Sequence, residues 1–257
     1  GANNTQQIER IARQGLWLAV LVALPMMVVI GHLDWAMVHL GQAERTVNLA
    51  DGYLSDILWG SLPAIGFAML RGYVSALSQA RPVMIIVILG TMANVTGNYI
   101  LGYGKFGLPR MELAGLGLAS GLSFWFMFIA LFLYICQNQT LRDYKFWREL
   151  HRVRPQILGR LIVVGTSIAI TIAVEYGLFT AVTFMMGSLG TETLAAHQTV
   201  YQTVFLLFMV PLGMSYAATA RVGQWVGQRD RKGTRQAGFV SIMLAAGFMA
   251  LTAVGLV

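Results

Sequence analysis

The stretch LAGLGLASGLSFWFMFIALFLYICQNQTL, Leu113–Leu141, contains no Asp, Glu, Lys or Arg. A helix rises about 1.5 Å per residue, so roughly 20 apolar residues cross the hydrocarbon of a bilayer. This run is long enough to span. The same search outward finds charge-free runs at Gln14–Leu33, Pro82–Gly104, Thr193–Ala220 and Gln236–Val257. Two further runs carry one charge each: Ile57–Ala80 holds Arg71, and Leu161–Thr191 holds Glu175. The expected fold is therefore all-α, a polytopic membrane helix bundle with seven spans. Composition agrees. Of 257 residues 56% are hydrophobic and 11% charged, whereas soluble domains carry about 25% charged residues. The low charge and many aromatics exclude disorder. A single Cys136 excludes an intrachain disulfide or a multi-thiolate metal site. No run has the form of a signal peptide.

Alternating crossings place Arg45, Lys105 and Arg110 on one side and the remaining fifteen of the 18 basic residues on the other. The rich side is expected to be cytoplasmic, with loops at 1–13, 78–81, 137–160 and 221–235. The net charge of +7 is then a topology marker, and no nucleic-acid partner is expected. Within Gln137–Gln156, Leu141, Tyr144, Trp147 and Leu150 recur at helical spacing against a basic face, which predicts an amphipathic helix in the headgroup layer. The expected organisation is part of a first lobe over 1–136 with four spans, a cytoplasmic amphipathic connection over 137–156 and part of a second lobe over 157–257 with three spans.

Gly1–Ala19 and Gly227–Ala245 are weakly alike: a polar turn, then Arg-Gln, a small residue and an apolar run. Both copies start on the expected cytoplasmic side, so the repeat is parallel. It implies a parent of twelve spans in two lobes related by a pseudo-twofold. The chain begins with Gly rather than Met and stops within an apolar run, so it reads as an internal piece of that parent.

No hydrolase, P-loop or metalloprotease signature is present, and an enzyme is not expected. Gly115-Leu-Gly117-Leu-Ala-Ser120 imitates a dinucleotide loop but lies inside a span, where Gly117 and Gly121 instead form a small-xxx-small packing surface. Glu175 is the sole mid-span acid. A carboxylate in hydrocarbon needs a cavity, a partner or a proton, so it is the candidate coupling residue and a possible Na⁺ ligand. Asp56, nearer a span end, reads as structural. Asn94 and Asn98 share a helix face and either bind something or join helices. Tyr176 adjoins Glu175, and His197 and Gln198 open the following span as polar candidates for a cavity. Pro25, Pro63 and Pro211 fall inside spans and are hinge candidates. The 14 Met and the aromatics suit a cavity for greasy cations.

Several segments resemble the MATE family of multidrug and toxic-compound exporters, in particular its NorM-type bacterial branch. They are Leu62-Pro63 to Gly72, Arg81-Pro82-Val-Met, Asn94-Val-Thr-Gly-Asn98 to Gly104, and Glu112 to Ser120. The most specific are Ala195-Ala-His197-Gln198 and Phe208 to Gly223, with Pro211 and Arg221 in place. The resemblance implies twelve helices in two lobes, this chain running from about the third helix to the ninth. It implies a multi-pass, monomeric exporter of the bacterial inner membrane. Drugs or toxic organic cations leave in exchange for Na⁺ or H⁺, without a cofactor. Glu175 matches a cation-coupling glutamate of the seventh helix, Gln198 a nearby glutamine of the eighth, and Asn94 an asparagine of the fifth. At Asn98 another branch has an aspartate, so a proton switch there is not implied. The alternatives are a lipid-linked oligosaccharide flippase, which would show several cavity cations, and an embedded enzyme or a scaffold subunit.

Overall fold

The computed structural model describes residues 5–39, 44–105, 107, 109, 111–138 and 153–255. Among these every regular element is a helix. They are α1 (Thr5–Ile30), α2 (Leu33–His39), α3 (Glu44–Ala76), α4 (Ala80–Tyr103), α5 (Glu112–Gln137), α6 (Pro155–Ser188), α7 (Thr191–Gly227) and α8 (Arg231–Gly255). All but α2 are long and apolar enough to cross a membrane, giving 7 candidate spans. The charge-free runs mark the middle of each helix. The helices extend past them because a charged residue ends solubility in lipid, not helix propensity. The short α2 was not foreseen: its polar Asp34 and His39 broke the run, but Asp34 sits in its first turn and His39 in its last, where each suits the helix dipole. The amphipathic helix expected within Gln137–Gln156 lies outside the described residues over 139–152.

Two compact units emerge, Asn4–Leu161 and Ile162–Val257. In the first, α5 packs between α3 and α4, and α1 packs on α3. One half of α5 meets its neighbours through very small residues. Added Cβ atoms at Gly117 and Gly121 would meet Tyr53 O at 2.7 Å and Asp56 O at 3.2 Å on α3. At Gly115 a Cβ would meet the Leu101 backbone of α4 at 2.8 Å, and one at Gly97 would meet Ala119 at 3.0 Å. Two four-residue periods are thus interleaved: Gly115 and Ala119 face α4, while Gly117 and Gly121 face α3. The small-xxx-small reading of Gly117 and Gly121 holds. Close backbone approach supplies the dispersion contact that drives helix association when lipid is as apolar as a side chain. The other half of α5 uses bulk. Leu131 and Ile135 are fully buried with Leu70 and Val74 of α3, and Val83 and Ile86 of α4 join the same cluster. Gln14, buried on α1, accepts a hydrogen bond from the Arg154 backbone N–H at 3.0 Å, tying the approach to α6 onto α1.

In Ile162–Val257, α7 and α8 pack as a hairpin. Neither α6 nor α7 has a buried residue, and α8 buries only Gly233, on which the Trp225 indole rests. Gly190, at φ 121°, makes the α6–α7 turn, a backbone setting closed to other residues without strain. Pro25, Pro63 and Pro211 all lie inside continuous helices, and Pro63 is fully buried.

Candidate functional site

The polar residues of α4 meet α5 at the level of its small-residue half. Asn98 Nδ2 donates to Asn94 Oδ1 at 3.0 Å, and Asn94 Nδ2 donates to Ser120 Oγ at 3.2 Å. The approach of Gly97 to Ala119 brings these side chains within reach. Asn94 therefore joins helices. Asn98 differs: its Oδ1 is buried and has no hydrogen-bond partner among the described residues. A buried carbonyl oxygen without a donor costs roughly 1–3 kcal/mol, which a ligand or water would offset. Asp56 of α3 is half-buried, its Cβ side against Gly117 of α5.

In the second unit, Glu175 lies on the exposed surface of α6 and makes no hydrogen bond or ion pair among the described residues. Phe179, one turn further along the same face, packs on Tyr201 of α7 with ring centroids 5.5 Å apart. Tyr201 in turn stacks with His197 at 6.2 Å and with Phe205 at 6.0 Å. Beyond this bridge an open crevice of about 550 Å³ separates α6 from α7, lined by Tyr176, Phe179, Thr183, Phe184, Leu194 and Tyr201 among others. Four of the nine lining residues are aromatic, and the Thr hydroxyls at 180 and 183 already donate to carbonyls one turn back. Such walls suit a flat apolar cation, which aromatic faces attract. His197 and Gln198 are half-buried, and no hydrogen bond joins Gln198 to Glu175.

The structure thus brings Asn94 and Asn98 together, and places Tyr176 and His197 around one aromatic cluster. It leaves Glu175 and Gln198 on separate helices without a direct bond. Sequence reading missed Ser120, Phe179 and Tyr201. The fourfold spacing of His197, Tyr201 and Phe205 was a signal for the aromatic stripe. Nothing in the sequence named Phe179 as its partner. No group of three His, Cys, Asp or Glu close enough to hold a metal occurs among the described residues.

Sequence comparison decides the family. The profile described as MatE matches residues 1–100 and 167–257, well over half of the chain. The chain belongs to the MatE family. This MatE chain is 51% identical over 256 residues to "Probable multidrug resistance protein NorM" of Synechococcus sp., covering 100% of the chain and 55% of that relative. It is 32% identical to "Multidrug resistance protein MdtK" of Yersinia enterocolitica over 99% of the chain and 56% of the relative. The chain spans about half the length of the curated relatives it matches. Its fold matches the "Crystal structure of MATE in the bent conformation" with a TM-score of 0.74 at 19% identity, over 97% of this chain and 59% of that one. A second match is the "Inward-facing conformation of a multidrug resistance MATE family transporter of the MOP superfamily", with a TM-score of 0.65 at 20% identity, over 98% of this chain and 57% of that one. The family is one of membrane transporters, not of enzymes, and this MatE chain is a multi-pass membrane protein.

Proposed function

We propose that this chain is the central part of a secondary multidrug exporter that works by ion-coupled alternating access. In this reading 1–136 belongs to the first lobe, 137–156 connects the lobes along the cytoplasmic surface, and 157–257 belongs to the second. The weak sequence likeness of Gly1–Ala19 and Gly227–Ala245 supports a parallel repeat. The basic segments of the sequence at 1–13, 78–81, 137–160 and 221–235, several of which include helix ends, face the cytoplasm of a bacterial inner membrane.

One observation carries the mechanism. Glu175 is a carboxylate well inside a candidate span, beside an aromatic crevice and without a cationic partner among the described residues. A deep acid of this kind gains by taking Na⁺ or H⁺ from the outside, which neutralises it. Neutral Glu175 attracts an organic cation less, so ion entry favours substrate release. The substrates are small organic cations; within the second unit the candidate contacts are the faces of Tyr176 and Tyr201 with polar His197 and Gln198, and within the first they are Asn94 and Asn98. Pro25 and Pro211, where the helix ladder lacks a bond, absorb the bending as the lobes rock. No cofactor is required, and one copy suffices. One charge moving through 100 mV supplies about 2.3 kcal/mol, enough for a substrate gradient of roughly 40-fold.

The test replaces Glu175 with Gln in the intact transporter and follows efflux of a fluorescent organic cation under imposed Na⁺ and H⁺ gradients. Ion-driven efflux falls at least about tenfold, a loss of ~1.4 kcal/mol of coupling. Unchanged efflux at normal expression refutes the role of Glu175. The gradient that drives the wild type identifies the ion.

A further inference from the structure

Gln14 of α1 is 1% exposed, the least of the buried polar residues described. Its Oε1 accepts from the backbone N–H of Arg154 at 3.0 Å, far away in sequence. Arg154 is where α6 begins. Its carbonyl accepts from Ile157 N–H and from Leu158 N–H, both at 3.1 Å, and Pro155 follows at a place where a helix needs no N–H. The main chain of Arg154 is therefore held twice: its carbonyl starts the ladder of α6 and its N–H is fastened to α1. A buried amide oxygen is costly to leave without a donor, so the fold favours keeping this bond. The donor is main chain, so Gln14 is the selective partner.

Asn138, which closes α5, is fastened too. Its Nδ2 donates to the Tyr134 oxygen at 2.8 Å and to Gln79 Oε1 at 3.4 Å, and Tyr134 O–H donates to Gln79 Oε1 at 3.1 Å. Tyr134 lies on α5 and Gln79 just before α4. Asn138 and Arg154 lie on either side of 139–152, and both are bonded to helices of the first unit.

That unit reaches further along the chain than Arg154. It takes in Pro155–Leu161, the opening turns of α6, whereas Ile162–Ser188 of the same unbroken helix belongs to the other unit. Gly159 and Gly165 stand on either side of this division. α6 has no proline after Pro155, so its glycines are where its backbone is least restrained. Glu175 lies about 15 Å beyond Gly165 along the helix.

We propose that Gln14 is a positioning residue that keeps the opening turns of α6 with the first lobe, and that α6 bends between Gly159 and Gly165 when the lobes reorient. The joint then lies inside α6 rather than in the segment before it, and Glu175 moves with the far side. The bending rests on the alternating-access reading above, whereas the fastening by Gln14 does not.

The experiment uses the intact transporter in lipid nanodiscs, its native cysteines replaced, Cys136 among them. One spin label is placed at Leu122 of α5 and a second at Gln156 or at Ile170 of α6, all exposed positions. Pulsed electron paramagnetic resonance reads both distances at high Na⁺, at low pH and with a bound organic cation. The Leu122–Gln156 distance stays the same across these states and the Leu122–Ile170 distance shifts. Gln14→Met has a similar volume but no oxygen acceptor, and it broadens the Leu122–Gln156 distribution. Gln14→Glu keeps an oxygen there and restores the width. Gln14→Met also lowers efflux turnover at least about fivefold, the low end of couplings between distant sites, with KM for the fluorescent cation unchanged. If the two distances respond alike, the joint is not in α6 and the proposal is overturned. A distribution as narrow in Gln14→Met as in the wild type overturns the role of Gln14. Should Gln14→Met fail to fold, the two distances in the protein with native Gln14 still decide the joint. The width comparison is made on the resting protein, so it stands or falls apart from the Glu175→Gln efflux assay.

Discussion

Within the described residues the two compact units bury their helices to different extents. Between Asn4 and Leu161, α5 is gripped by α3 and α4 through backbone contact at one end and a cluster of fully buried side chains at the other. Between Ile162 and Val257, α6 meets α7 across a crevice bridged by aromatic rings, and neither helix buries a residue. The polar candidates follow the same division. Asn94 and Asn98 are held by hydrogen bonds within a packed interface, while Glu175 has no partner among the described residues. A tightly packed unit fixes its polar groups in one geometry. Glu175, in the other unit, is exposed within this chain.

This contrast breaks most clearly at the glycines. Gly117→Leu forces a branched side chain into the Tyr53 backbone, where even a Cβ would sit at 2.7 Å. We expect the chain to lose its folded fraction, read as the monodisperse peak in detergent chromatography; a normal peak would show that α3 and α5 do not touch there. Gly60→Ala is milder. Its Cβ would lie 2.6 Å from Gly121 Cα, and the backbone shift costs about 1–3 kcal/mol in unfolding free energy. The matched changes in the second unit, Gly177→Ala and Gly213→Ala, meet nothing within 4 Å. They are expected to raise helix stability by up to about 1 kcal/mol through propensity alone. A cost equal to that of Gly60→Ala would mean that the open faces of α6 and α7 are covered, and the contrast would fail.

Smaller effects sharpen it. Asn94→Ala removes an interhelical hydrogen bond worth about 0.6 kcal/mol, and leaves Asn98 Nδ2 without its acceptor. A modest drop in thermal stability should accompany it; a drop as large as that for Gly60→Ala would show that the asparagine pair, not the small-residue contact, holds α4 to α5. Arg229→Gly should raise stability by at most about 1 kcal/mol, because glycine adopts the left-handed conformation without strain. A loss at Arg229 would assign its side chain a contact beyond the turn.

The spans were legible because lipid imposes one requirement, absence of charge over a fixed length, and Leu113–Leu141 meets it without help from any other residue. Gly117 and Gly121 were legible for a related reason: only small residues at four-residue spacing let helices touch. The interleaved pair Gly115 and Ala119 was hidden, since a second face appears only when a second neighbour is known. Ser78 and Arg229 were hidden as well, because non-glycine residues at left-handed positions contradict the usual turn chemistry that sequence reading relies on. At the candidate site, Glu175 announced itself by its charge. Its surroundings did not, because the Phe179–Tyr201 contact depends on how two helices cross rather than on either sequence.

The doubly gripped helix α5 has a mechanical consequence. Where backbone rests on backbone there is no compressible layer of side chains, so neither α3 nor α4 can slide or roll against α5 by small rotamer changes. Over Gly115–Gly121 the three helices therefore move together rather than past one another, while the side-chain layer around Leu131 and Ile135 is where adjustment remains open.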